Sequence, residues 1–573
     1  MLGTRVIIET LKREGVDLAF AYPGGQITPL FDEFYDERDI RLILPRHEQA
    51  GAHAADGYAR ATGKVGVVIT TSGPGATNLA TGIANAHLDS VPLVAITGQV
   101  PSPLIGNDAF QEVDVVGITR SISKHNYLVS SPGDLAFMLR AAFHIARSGR
   151  PGPVVVDIPS DVQRAEIARP IPDKIVLPSY QPNYEGNPRQ IERIAGLINA
   201  ASRPLLYVGG GVVGSEAADD LRLTAATAGL PAVASLMALG TLPFDDPLFL
   251  GMPGMHGTPA ANRAIMNCDL LIAVGTRFDD RVTGKTESFA PLAKIIHIDV
   301  DPTSVAKNVR ADLPVIGDAG NILRRLVPQL KKRERREWLE EIALWREESA
   351  ALLGRQAASG LSAPRVVREM ARLSRDLQPI LVTDVGQHQM WAALHWEHRR
   401  PRGFISSGGL GTMGFGLPAA VGAQLGRPDS LVFCLSGDGG LQMNIQELCT
   451  VRRLDLPIKI VVINNGCLGM VRQWQEFFWG RRYSHVDLDD NPDFGRIAEA
   501  YGLRALAVND GEGVSPALEE AIRHPGPVLV DVRVGKGDNV FPMVPPGEGL
   551  DRILLSAPPA AEGESASREA GAG

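Results

Sequence analysis

Asp438 lies between two glycines in Ser436-Gly437-Asp438-Gly439-Gly440, and Asn464-Asn465 follows after a second apolar run. The first apolar run, residues 431–435, directly precedes the glycines, and the second occupies residues 458–463. That order predicts strand, glycine turn, helix, strand, with Leu441, Ile445 and Leu448 on one helical face between the strands. In such a unit Asp438 and Asn465 meet at the carboxyl ends of parallel strands, where open α/β sheets hold ligands. One carboxylate and one amide oxygen suit Mg²⁺, which takes few protein ligands together with phosphate oxygens and water, and glycines let a diphosphate approach the backbone. The main-chain carbonyl of Cys467 adds a third metal-facing oxygen. Taken alone, a Gly-Asp-Gly also reads as an ordinary strand-end turn with a solvated aspartate.

Two further glycine turns follow apolar runs. Ser72-Gly73-Pro74-Gly75 matches the Asp438 stretch in its placement, so the two ends of the chain read as one fold used twice, with a metal-binding aspartate in the second copy only. Gly209-Gly210-Gly211-Val212-Val213-Gly214 satisfies G-x-G-x-x-G, but the acid that a ribose requires further on is missing from residues 229–236. Acids do end two later runs, in Gly275-Thr276-Arg277-Phe278-Asp279 and in Asp299-Val300-Asp301.

Taken with Leu441-Gln442-Met443-Asn444 and Leu468-Gly469-Met470-Val471-Arg472-Gln473-Trp474-Gln475, the Asp438 and Asn465 signature resembles that of thiamine-diphosphate enzymes. Among them it looks most like the acetolactate (acetohydroxyacid) synthase catalytic subunits, over about residues 1 to 550. The resemblance implies an α/β fold of three doubly wound parallel-sheet domains. These are a pyrimidine-binding domain over residues 1–168, a central FAD-binding Rossmann-like domain over 188–330 and a diphosphate- and Mg²⁺-binding domain over 363–550. Composition places a proline-spaced linker at 170–188, a charged, solvated linker helix within 331–362 and a disordered tail over 556–573.

The resemblance also implies roles. Glu48, which by itself would merely complement a helix dipole, would hydrogen-bond the pyrimidine N1′ of thiamine diphosphate. Gly25 belongs to the same cofactor's contacts. Phe110 and Gln111 would face the substrate from the loop 105–112, with Lys124 following into the site beside His125; the plain alternative for that pair is a surface cation and a structural histidine. Gln387 and His388 would contact the diphosphate along with Gly437 and Gly439, and Gly411 and Met413 would support the bend between the cofactor's rings. The metal falls to Asp438, Asn465 and Cys467. FAD contacts fall to Arg150, to Gly209, Gly210 and Gly211, and to Gly254, Met255 and His256. Gly275, Arg277 and Asp279 extend that set, and Asp299, Val300 and Asp318 complete it. Arg281 would meet the carboxylate of a second 2-keto acid bidentately, while Met470 and Trp474 share a helical face from which the family's tryptophan favours 2-ketobutyrate over pyruvate.

The implied reaction decarboxylates pyruvate on thiamine diphosphate and transfers the hydroxyethyl group to pyruvate or 2-ketobutyrate, the first common step of valine, leucine and isoleucine biosynthesis. FAD would be structural, because carboligation is redox-neutral. A homodimer or dimer of dimers follows, in which the glutamate-bearing domain of one subunit faces the aspartate-bearing domain of another, with a small regulatory subunit besides. Gln26, Ser160 and Pro253 depart from the family's usual small residue, Lys and Leu, which bears on herbicide sensitivity and channel shape.

Composition agrees with a globular enzyme. The 573 residues carry a net charge of -8, with 44% hydrophobic and 21% charged residues, and no basic arm offers a footprint for nucleic acid or a membrane surface. The four cysteines form no CxxC pair and, with the absence of a leader-like N-terminus, point to a cytoplasmic setting. Three rival readings stand beside this one: a redox or simple-decarboxylase relative, such as a pyruvate oxidase, releasing acetate or acetaldehyde, a nicotinamide dehydrogenase read from residues 209–214, and a silent nucleotide-binding protein.

Overall fold

The computed structural model describes residues 1–358 and 360–557, so the predicted tail lies almost wholly outside the described residues. Three sheets organise the chain, and every strand pair within them is parallel. The first sheet runs Arg41–Ile43, Leu18–Ala21, Gly66–Thr70, Leu93–Gln99, Pro153–Pro159, His125–Leu128 across its width. The third runs Phe404–Ile405, Ile380–Thr383, Val432–Gly437, Lys459–Asn464, Val528–Arg533, Arg504–Val508. Numbered from its own start, each follows the strand order 2-1-3-4-6-5, which is the internal echo expected from the sequence. The middle sheet has five strands, in the order Leu313–Ile316, Lys294–Asp299, Leu270–Val274, Pro204–Val208, Ala232–Ala234. Central strands such as Pro153–Pro159 are buried along their whole length, which is why they read as continuous apolar runs rather than alternating ones.

The first and third sheets share one hydrophobic core, built where the helix Glu48–Thr62 crosses the helix Gly416–Gly426. Alanines and glycines line this crossing. A Cβ added at Gly57 would run into the carbonyl of Ala419, and one at Gly422 into that of Ala54. The middle sheet has its own core on each face.

Two local expectations change. The helix expected after Asp438 breaks into Asp438–Met443, a 3-10 turn Ile445–Glu447 and Leu448–Arg453, because Asn444 leaves helical geometry and donates its side-chain N–H to the carbonyl of Gly414 at 2.7 Å. The charged linker helix forms over Arg336–Gln356 but is not simply solvated. Trp338, Ile342 and Leu353 are buried, and the Trp338 indole donates to the carbonyl of Pro204 at 3.1 Å. Of the linker expected at 170–188, residues 170–187 contain no helix or strand, and Pro188 already opens the helix Pro188–Ala200. Among the described residues no helix is long and apolar enough to cross a membrane.

The glycine crossing yields a direct test. Gly422→Val should cost about 1–3 kcal/mol by forcing two backbones apart, seen as a lowered thermal midpoint. Gly196→Ala, in the exposed middle of the helix Pro188–Ala200 with nothing within 4 Å, should instead add about 0.5–1 kcal/mol. Equal midpoints for the two variants would remove the crossing from its place as the joint between sheets.

Candidate active site

The strand Val432–Gly437 ends where the helix Asp438–Met443 begins, and the strand Lys459–Asn464 lies beside it in register, so Asp438 and Asn465 emerge at adjacent carboxyl ends. Both side chains are buried and line one small cavity of about 60 Å³ together with Gln387, His388, Met413, Gly437 and Gly439. Asp438 Oδ2 accepts from Asn491 Nδ2 at 2.6 Å, and Asn465 Oδ1 from the main-chain N–H of Cys467 at 3.2 Å. Burial raises the Asp438 pKa, as expected of a carboxylate with no cation beside it. Burial also pushes the Cys467 thiol up to about 11.

The residues fit a diphosphate with a divalent ion. His388 is buried and its Nε2 has no hydrogen-bond partner among the described residues. Burial pulls its pKa down to about 4, so the imidazole is neutral at physiological pH. A Cβ at Gly437 would stand 3.1 Å from His388 Nδ1, and one at Gly439 would stand 2.9 Å from Leu468, so both glycines keep the cavity open.

The supporting residues were not picked out from the sequence. Buried Asp384 accepts from the main-chain N–H groups of Val385, Gly414 and Gly416 at 2.8–3.1 Å, which fixes the turn carrying Met413. Gln473, fully buried, accepts from Gln387 Nε2 at 3.0 Å and so aims the other amide edge of Gln387 at Asn465. A glutamine on the inward face of an amphipathic helix was the one signal available for it.

A second, larger cleft of about 1320 Å³ opens at the carboxyl ends of the middle sheet. Of the residues expected to hold FAD, Arg150, Gly210, Gly211, Met255, His256 and Gly275 line it, as do Arg277, Asp279, Asp299, Val300 and Asp318. Gly209 and Gly254 do not. A Cβ on Gly209 would strike the carbonyl of Gly275, and one on Gly254 the carbonyl of Arg281, so both positions let backbones pack closely beside the cleft. Arg150 reaches the cleft from the first sheet, donating to Ser90 Oγ at 2.8 Å, Ser304 Oγ at 3.2 Å and Asp301 Oδ2 at 3.3 Å. Burial pushes Asp299 up to about 6, which suits a carboxyl placed to meet hydroxyl groups.

At one end of the same cleft the structure gathers Arg281, Met255, Met470 and Trp474, with Gly411 also in the wall. The Arg281 guanidinium lies 5.7 Å from the centre of a Trp474 ring and 3.7 Å from Met255 Sδ. Met470 lines both cavities and therefore marks where they meet.

The first-sheet residues are placed differently. Glu48 opens its helix, half-buried, and accepts from Asn78 Nδ2 at 2.9 Å. The loop with Phe110 and Gln111 packs on the Ser72-Gly73 turn, where a Cβ on Gly73 would stand 2.9 Å from Gln111. Thus the first copy of the repeated turn supports Glu48 and Gln111 while the second carries Asp438. Glu48, Phe110, Gln111 and Gly25 line neither cavity, and Phe110 is 85% exposed. Lys124 also lines neither cavity: its ammonium donates to the carbonyls of Ile145 and Ser148 at 2.6 Å and to Tyr180 Oη at 2.9 Å, at the end of the helix Leu135–Arg147.

Comparison with known proteins agrees with this geometry. Residues 1–118 match the thiamine pyrophosphate enzyme N-terminal TPP binding domain, residues 191–326 its central domain and residues 384–532 its C-terminal TPP binding domain. The chain is 47% identical to the probable acetolactate synthase large subunit of Methanocaldococcus jannaschii, covering 97% of this chain and 95% of that one. It is 49% identical to the acetolactate synthase large subunit of Parasynechococcus marenigrum, over 96% and 90% of the two chains, and 47% identical to that of Corynebacterium glutamicum, over 99% and 93%. With such identity along nearly its whole length, the chain belongs to the acetolactate synthase large subunits, within the thiamine pyrophosphate enzymes.

Proposed function

We propose that this chain joins two 2-keto acids, decarboxylating pyruvate and transferring its two remaining carbons to a second pyruvate or to 2-ketobutyrate, as a transferase of branched-chain amino acid biosynthesis. The observation that carries this reading is the buried pair Asp438 and Asn465 beside the unpartnered His388, with the Arg281 and Trp474 cluster at the far side of Met470. Thiamine diphosphate, when bound, supplies an electron sink for the carbanion that decarboxylation leaves.

The chain's residues do the rest. Asp438, Asn465 and the Cys467 carbonyl would hold Mg²⁺, while Gln387 and His388 orient diphosphate oxygens and Met413 sits under the ring junction. Glu48 would hold a proton at the pyrimidine N1′, where a carboxylate in a sheltered site exerts a large electrostatic effect. Arg281 would orient the carboxylate of the acceptor, and Trp474 would bound the space for its alkyl group. The large cleft would hold FAD, whose task is structural because the reaction transfers no electrons overall.

Glu48 and Gln111 lie outside both cavities of their own chain, which supports a homodimer, or a dimer of dimers, in which the first-sheet loops of one protomer close the third-sheet site of its partner. The relatives are named as large subunits, which supports a separate small regulatory subunit, and the composition supports a cytoplasmic enzyme.

Purified protein given pyruvate, Mg²⁺ and thiamine diphosphate should accumulate acetolactate; acetate with peroxide would establish an oxidase instead. Asp438→Ala and Glu48→Gln should each lower kcat/KM at least about 100-fold, the scale of a lost proton-transfer or electrostatic group. In a competition between pyruvate and 2-ketobutyrate as acceptors, Trp474→Leu should reduce the share of the 2-ketobutyrate product by about tenfold or more, the discrimination that a methylene-sized pocket commands. An unchanged product ratio would take Trp474 out of the acceptor pocket.

A further inference from the structure

Between the two cavities lies the stretch 406–412, which leads into Met413, and most of what holds it comes from the first sheet's side of the molecule. Asp89, at the end of the helix Ala80–Leu88, presents both carboxylate oxygens to it: Oδ1 accepts from the main-chain N–H of Gly409 at 2.7 Å and Oδ2 from that of Gly408 at 3.0 Å. Asn85, one turn earlier, accepts from Ser407 Oγ at 2.6 Å and from Thr412 Oγ1 at 3.3 Å. Arg60 donates to Asp89 Oδ2 at 2.8 Å, to Asp56 Oδ1 at 2.5 Å and to the carbonyl of Ser406 at 3.0 Å. The Asp89 and Asp56 side chains are completely buried and that of Arg60 almost so. Against the burial that would discharge it, the two carboxylates hold the Arg60 pKa above its ordinary value.

The same stretch also touches the middle domain. A Cβ on Gly408 would stand 2.5 Å from Met237 Sδ, and one on Gly409 would stand 2.8 Å from Asp89 Oδ1 and 3.2 Å from an Arg277 guanidinium nitrogen. All three domains therefore converge on two glycines whose N–H groups share a single carboxylate. Asp89 and Arg277 both line the large cleft, while Met413, just beyond the stretch, lines the small one.

We propose that Asp89 is a positioning residue for the thiamine diphosphate site: by clamping the N–H groups of Gly408 and Gly409 it fixes the stretch that presents Gly411 and Met413 to the cofactor. This rests on the functional reading above. Asp89 lies outside the Arg281 and Trp474 cluster, so its effect should appear in cofactor affinity and not in the handling of the acceptor. Loss of a clamp that acts through another group weakens binding by about 10- to 100-fold where such partners have been removed from comparable sites.

The test titrates thiamine diphosphate, in saturating Mg²⁺, into the full-length protein and follows quenching of tryptophan fluorescence. Asp89→Asn, which keeps the shape and removes the charge shared by two N–H groups and Arg60, should raise Kd at least about tenfold while KM for pyruvate at saturating cofactor stays at the wild-type value. Gly409→Ala leaves every charge in place and pushes the backbone off Asp89; it should raise Kd in the same direction, and it carries the test should Asp89→Asn fail to fold. Wild-type Kd in a folded Asp89→Asn or in Gly409→Ala overturns the proposal, as does a rise in the KM for pyruvate as large as the rise in Kd. A wild-type protein that does not bind thiamine diphosphate at all overturns the functional reading itself, which separates the two failures.

Discussion

The helices Glu48–Thr62 and Gly416–Gly426 lie so close that the carbonyls of Ala54 and Ala419 occupy the space a Cβ would need at Gly422 and Gly57. Contact of that kind leaves no side chains to slide or repack, and interiors packed to this density transmit displacement instead of absorbing it. The first and third sheets are thereby locked in one relative position within the chain, and their shared core extends outward from the crossing. Polar groups continue the lock at both ends. The main-chain N–H of Arg46, two residues before Glu48, donates to the buried Glu447 at 2.7 Å, and the far end of the helix supplies Arg60 to the buried acids. A chain joined this tightly has little freedom left for its first-sheet loops to swing onto its own third-sheet cavity, which is what favours the proposed dimer.

Duplication explains how one sheet order serves two tasks. Both copies place a glycine turn after their third strand, because there the backbone must leave the sheet, admit a neighbour and start a helix within a few residues. In the second copy the turn ends in buried Asp438, whose carboxylate accepts from Asn491 and has no cation beside it among the described residues. In the first the corresponding turn carries Ser72 and Gly73 and seats a loop. The two copies therefore differ chemically: the same fold ends one strand in a carboxylate, suited to the proposed metal, and the other in an uncharged turn that seats a loop.

Much of this was legible from the residues because the strongest signals are local. Apolar runs bounded by glycine are enough to place parallel strands, and the paired signature of Asp438 and Asn465 is enough to place the ligand end of the third sheet. What escaped depends on contacts between residues far apart in sequence. Nothing around Lys124 shows that its ammonium will be spent on the carbonyls of Ile145 and Ser148. Nothing around Asn444 shows that the carbonyl of Gly414 will draw its side chain out and break the helix. The G-x-G-x-x-G pattern over Gly209–Gly214 was legible as a turn, but the close packing of its first glycine on Gly275 is set by the neighbouring strand end. The charged helix misled for a related reason: mixed charges cover its outer face and hide Trp338, which the middle sheet buries.

Two arginines in the large cleft show how cost decides assignment. Arg150 is half-buried and already spends its donors on Ser90, Ser304 and Asp301, so recruiting it to a transient substrate would strand an acid at the end of a sheet. Arg281 is largely exposed, and its nearest carboxylate, Asp280 at 3.8 Å, is more exposed still. A pair like that contributes little, because solvent screens both partners. Exchanging Asp280 for an incoming carboxylate therefore costs almost nothing, while the Trp474 ring at 5.7 Å keeps one face of the guanidinium in place through the exchange. On energetic grounds the proposed roles divide in the same way: Arg150 suits a ligand that stays bound, and Arg281 suits a carboxylate that comes and goes.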